Sequence, residues 1–198
     1  NTIYFLLIRF QDIQRFGIRF TVVHIEVKAL FTPPTYDEKR LFAARHFTGG
    51  LPESAVPAES LYTTWSNGSL PSPFSKAEGM YQGDSARYMR DLVERMGMRV
   101  PPEFSACPDH LALELDLAAV LLRSGMRDAA RQFVLERFSW LTAYRMRLLE
   151  LADDARFYIG LVDVLVGMRE HLALTSGAGE QGIDADARAE RNRLHACI

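Results

Sequence analysis

Cys107, Pro108, Asp109 and His110 stand side by side at the start of a run, residues 110–122, that is apolar except for Glu114 and Asp116. Residues of these types at this spacing can do local chemistry. A proline suits the first position of a helix, where its missing N–H costs nothing. The acid after it then falls in the first turn, facing the positive end of the helix dipole. Histidine is the side chain that changes charge near neutral pH. An Asp-His pair fixed at a helix mouth can bind a peptide, shuttle a proton or cap the helix. Cys107 and His110 are three residues apart and could reach one metal ion, with two further ligands required from elsewhere. As nucleophile and base the same two residues have no specified geometry.

Other catalytic patterns are missing. The five histidines, His24, His46, His110, His171 and His195, include no two at zinc-ligand spacing. There is no glycine-rich phosphate loop ending in Lys-Ser or Lys-Thr, no dinucleotide fingerprint and no nucleophile elbow. Cys107 and Cys197 form neither a disulfide framework nor a paired metal motif, and they point to a reducing compartment.

The elements that must position Asp109 and His110 follow from periodicity. Residues 1–47 are rich in Phe, Ile and Val with interspersed Arg and Lys, and Thr21-Val22-Val23-His24-Ile25-Glu26-Val27 reads as either strand or helix. Residues 48–83 hold nine Gly and Pro residues, which forbids a long regular element. Leu61, Tyr62, Trp65 and Phe74 lie among them, so this stretch is expected to be an ordered loop packed on the body of the domain.

Residues 84–174 read as a helical core. Asp84 or Ser85 caps a first helix with Met89, Leu92, Val93 and Met96 inward, ended by Gly97. A second helix, residues 108–123, is apolar on most sides and should be central, with Gly125 ending it. Phe133, Trp140, Leu141, Tyr144 and Leu148 follow helical spacing in a long third helix. Asp153 or Asp154 starts a fourth, with Phe157, Tyr158, Leu161, Val162 and Leu165 inward. Short connections between such helices make an all-α bundle. Residues 175–198 are a polar tail, and residues 185–195 within it are a solvated helix or a frayed end.

Composition narrows the class. A length of 198 residues with 48 % apolar residues suits one sizeable domain. A net charge of −2, with both signs scattered, excludes general nucleic-acid binding. No apolar run approaches the roughly 18 residues of a membrane span, and Tyr4 to Ile8 is too short for a signal-peptide core. The expectation is a soluble, cytoplasmic protein.

Pro108-Asp109-His110-Leu111, followed by Leu113-Glu114-Leu115, resembles the signature of the TorD/DmsD-like redox-enzyme maturation chaperones. That signature is Glu-x-Pro-x-His, most often with Asp before the His, then Leu and a Glu-Leu pair opening a buried helix. Upstream, Pro57-Ala58-Glu59-Ser60-Leu61-Tyr62 is similar to the family's Pro-x-Glu-Ser-x-Tyr loop. Tyr81, a helix and Gly97 lie between the two in the family's order, and Phe133, Trp140, Leu141 and Phe157-Tyr158 match its later helices. The resemblance covers roughly residues 45–172. Two departures stand out. Ala106 occupies the place of the family's acid, with Glu103 or Glu59 as substitutes, and residues 1–40 match poorly.

The resemblance implies an all-helical TorD-like bundle over residues 1–174, without catalytic activity or a cofactor of its own. Such a chaperone binds the twin-arginine signal peptide of a molybdopterin-dependent oxidoreductase and assists cofactor loading before export. It acts as a monomer or homodimer, with no nucleic acid and no stable membrane insertion. Asp109 is then the leading partner for a peptide guanidinium, with Glu59 and Glu114 next. Tyr62, Trp65 and Leu111 line an apolar groove, His110 is a hydrogen-bonding wall or hinge residue, and Pro108 belongs to the same peptide-binding set.

Each role has a plainer rival. Asp109 serves the helix dipole, His110 is a satisfied core residue, Glu114 pairs with an arginine, and Trp140 and Tyr144 are packing. The functional alternatives are an all-helical metal-dependent hydrolase using Asp109 and His110, and a structural adaptor.

Overall fold

The computed structural model describes residues 33–64, 79 and 81–195, with side chains through residue 175. Residues 21–27, read as either strand or helix, and Trp65 and Phe74 lie outside that set. Among the described residues the regular structure is helical: α1 (Tyr36–His46), α2 (Asp84–Arg95), α3 (Leu111–Arg123), α4 (Arg127–Arg137), α5 (Leu141–Leu149) and α6 (Arg156–His195). No helix among them is long and apolar enough to cross a membrane.

Local chemistry sets most of the helix ends. Thr35 starts α1 with a capping box: its hydroxyl accepts from the Glu38 N–H at 3.3 Å, and the Glu38 carboxylate accepts from the Thr35 N–H at 2.7 Å. Gly97 ends α2 at φ +72°, and Gly125 ends α3 at φ +76°. Both ends are Schellman turns, with Met98 N–H donating to Val93 and Met126 N–H to Leu121, each at 3.0 Å. A β-carbon at either glycine would sit in the disfavoured left-handed region.

Three expectations are corrected. The first helix begins at Asp84 with Gly83 as its cap, so neither Asp84 nor Ser85 caps it. Helix α3 begins at Leu111 with His110 as its cap, so Pro108 and Asp109 precede the helix instead of forming its first turn. The long third helix is interrupted by a tighter turn, Phe138–Trp140, between α4 and α5. Phe138, Leu141 and Tyr144 are all buried across that join. The last helix continues through His195.

The core forms where α3 packs on α4, α5 packs on α6, and α6 also contacts α4. Leu115, Leu117, Ala118, Phe133, Leu141, Tyr144, Val162 and Leu165 fill it. Each such aliphatic or aromatic side chain contributes about 1.5–3 kcal/mol on burial. Helix α1 joins through Phe42, whose ring stacks on Tyr158 at a centroid distance of 4.2 Å. Residues 55–60 are fully buried against this body, as expected of an ordered loop.

Candidate functional site

The two motifs read from the sequence meet in space. Ala58 and His110 form an antiparallel bridge, in which the Glu59 N–H donates to the Asp109 carbonyl at 3.1 Å and the Leu111 N–H to the Pro57 carbonyl at 2.9 Å. Residues 108 and 109 form a turn closed by the His110 N–H donating to the Cys107 carbonyl at 3.1 Å, and the bridge holds His110 itself extended, which is why α3 starts late. Behind the loop, the backbone of Gly79 lies so close to Ser60 and Leu61 that a β-carbon there would collide with theirs.

Asp109 is fully buried, and its Oδ2 accepts from the Ser60 N–H at 2.5 Å. The helix dipole is therefore not its main partner. Its Oδ1 and the Ser60 hydroxyl have no hydrogen-bond partner among the described residues. His110 is 7 % exposed and caps α3: its Nδ1 accepts from the Ala112 N–H at 3.1 Å, and its ring tilts against Phe104. Burial pushes its pKa down to about 4, so the ring is neutral near pH 7.

Glu59 is also buried and is held by both arms of Arg137, whose Nε donates to Oε2 at 3.0 Å and whose second nitrogen donates to Oε1. The same guanidinium donates to the Ser85 hydroxyl at 3.3 Å and lies over the Tyr88 ring. Fully buried Glu114 accepts from Trp140 Nε1 at 3.3 Å through Oε2, while Oε1 has no donor among the described residues. Its carboxyl faces that of Glu59. Burial raises the pKa of both groups; Arg137 offsets this at Glu59, and the charges of Glu59 and Asp109 add to it at Glu114. The plain reading of Glu114 as the partner of an arginine is corrected: Trp140 and Glu59 take that place.

Tyr62 is half-buried and stacks on Trp140 at 5.6 Å and 15°. Leu111 and Pro57 open onto a small apolar cavity of about 30 Å³, shared with Phe47, Leu115, Tyr144, Tyr158 and Leu165. Trp140 and Tyr144 are core residues, as their spacing suggested. Cys107 is half-buried, and burial and then the Asp109 charge push its thiol up to about 11, so it is unreactive at neutral pH. Among the described residues no group of three His, Cys, Asp or Glu is placed to hold a metal ion.

The structure thus gathers Glu59, Asp109, His110 and Glu114, with Pro108 buried beneath them and Tyr62 and Leu111 at the edges. Trp65 lies outside the described residues. Sequence reasoning missed Arg137 and Ser85. A signal for Arg137 was present: it lies four residues after Phe133 and three before Trp140, a charge on an otherwise apolar helix face.

The family model described as nitrate reductase delta subunit matches residues 39–151, which enclose every residue of this cluster. Searches of curated proteins and of solved structures found no match. With more than half of its length matched, the chain belongs to the nitrate reductase delta subunit family, TorD-like chaperones that mature molybdoenzymes and are not themselves catalytic.

Proposed function

We propose that this chaperone acts in the cytoplasm by binding the twin-arginine signal peptide of a molybdopterin-dependent oxidoreductase, retaining that enzyme while its cofactor is loaded. The observation that carries the reading is the excess of acid in the cluster. Glu59, Asp109 and Glu114 are gathered in one buried cluster in which the one bound guanidinium among the described residues, Arg137, is spent on Glu59, and Asp109 Oδ1 lacks a donor among the described residues. Buried acceptors without donors are costly, and a peptide guanidinium brings donors in a planar fork that fits carboxylates. The Tyr62–Trp140 stack and the apolar cavity beside Leu111 offer surface to the apolar stretch that follows the arginines.

Entry requires movement, because Asp109 is fully buried. The loop over residues 55–62 is held to the mouth of α3 by the Ala58–His110 bridge and the Ser60–Asp109 bond. Lifting it would uncover the carboxyls with His110 as the pivot. The hydrolase alternative is set aside, since the family is not catalytic. The structural-adaptor reading draws support from the same burial, with the cluster serving only to fasten the loop.

Calorimetry with a synthetic twin-arginine peptide separates the two. Asp109→Asn keeps an acceptor for the Ser60 N–H and should weaken binding by about 2 kcal/mol, roughly thirtyfold. A peptide with both arginines replaced by lysine should also bind more weakly, because an ammonium cannot pair in two places. Unchanged affinity in the folded variant would remove Asp109 from the site.

A further inference from the structure

We propose that peptide binding by this chain is linked to a proton: a guanidinium entering the cluster expels the one proton that Glu59 and Glu114 share. The inference rests on the peptide-binding reading above and gives that site its regulation.

Glu59, Asp109 and Glu114 are each 2 % exposed or less, yet Arg137 is the one guanidinium bound to them among the described residues. Arg137 spends its fork on Glu59 and a further contact on Ser85. Glu114 is left with the indole N–H of Trp140 and with the Glu59 carboxyl. Two carboxylates facing each other in a dry site cannot both ionise. The proton sits on Glu114, which has no cationic partner, and its O–H donates to the Glu59 carboxylate. This also provides a role for Glu114 Oε1, which otherwise has no hydrogen-bond partner.

No other group in the cluster can take up the change. Arg137 from α4 stays charged, and Ser85 from α2 and Trp140 are neutral donors. His110 has its Nδ1 committed to the Ala112 N–H. Tyr62 and Tyr144 remain neutral phenols, and Tyr88 lies over Arg137. Asp109 from the turn before α3 has its Oδ2 committed to the Ser60 N–H.

The exchange balances. Before binding, the Glu59 carboxylate and the Arg137 guanidinium cancel; afterwards the carboxylates of Glu59 and Glu114 and the two guanidinium groups cancel as well. The Glu114 O–H bond breaks, its electron pair stays on the carboxylate, and the proton passes to buffer. Binding that releases a proton tightens as pH rises, by up to about tenfold per pH unit while Glu114 is protonated in the free protein.

The test uses the whole chain and an N-acetylated twin-arginine peptide without histidine, titrated calorimetrically in two buffers of different ionisation enthalpy between about pH 5.5 and 8. The expected result is a buffer-dependent heat equivalent to about one proton released, with affinity rising with pH. Glu114→Gln preserves the fold, since its amide donates to Glu59 and its carbonyl accepts from Trp140. That variant should bind with no released proton and a flat pH profile. Wild-type binding without buffer-dependent heat would overturn the proposal, as would the same release from Glu114→Gln. Absence of wild-type binding at every pH would instead overturn the peptide-binding reading itself.

Discussion

The ring of His110 spends its Nδ1 lone pair on the Ala112 N–H, which places its proton on Nε2. The residue is thus a neutral helix cap at pH 7, and its titration has moved to about pH 4. An exposed histidine takes its proton near 6.5. Between those values the unfolded chain binds a proton that the folded chain refuses. The stability contributed by His110 is therefore complete above about pH 6.5 and is lost as pH falls toward 4, by up to about 3 kcal/mol. His110→Asn keeps a capping acceptor and removes the titration. Urea unfolding should show the variant losing about 1–2 kcal/mol at pH 7 and less, or none, at pH 4.5; parallel pH profiles for variant and wild type would contradict the neutral cap. Glu114 works in the opposite direction, since a raised carboxyl contributes stability at low pH that fades as pH climbs through its folded value. The Pro-Asp-His triplet was visible in the sequence. Its burial was not, and burial turns a residue read as a switch into a fixed cap.

Among the elements, α1 is fastened at its end by a buried histidine. His46 is fully buried at its end, with Nδ1 at 2.9 Å from the Glu53 carbonyl and Nε2 at 2.8 Å from Asp153 Oδ2. It ties α1 to the loop before the cluster and to the corner between α5 and α6. Arg147 fastens the same loop through the carbonyls of Pro52 and Ser54. His46→Ala removes both ring contacts and opens a cavity beside Phe42, and should cost about 2–4 kcal/mol in urea unfolding. A loss below about 0.5 kcal/mol would mean that α1 is held by Phe42 and Phe47 alone. Helix ends marked by Gly97 and Gly125 were legible because only a left-handed residue can close those turns. The start of α3 was not legible, because a bridge to residue 58, distant in sequence, overrides the local preference of Pro108. The break at Phe138–Trp140 escaped for a similar reason: its apolar residues fit a three-residue period and a helical one almost equally well.

For the whole molecule, the cluster is where the chain's separate parts meet. Glu59 comes from the loop, Ser85 from α2, Asp109 and Glu114 from the mouth of α3, and Arg137 and Trp140 from the junction of α4 with α5. The order of motifs made the family readable from sequence, because those motifs are local. Arg137 was not readable as a member of the site, since its contact with Glu59 spans 78 residues and depends on the packing of α4 against α3. The proposed function makes this acid-rich junction the place that a client opens, and the molybdoenzyme client should report directly on it. The most direct measurement is capture of that client from anaerobically grown source cells, wild type beside folded Asp109→Asn, with the bound protein identified by mass spectrometry. The expected result is a molybdopterin oxidoreductase precursor, leader intact, retained by wild type and lost by the variant. Equal retention by both, or a client bound only after its leader is removed, would contradict the assignment of the cluster as the peptide site.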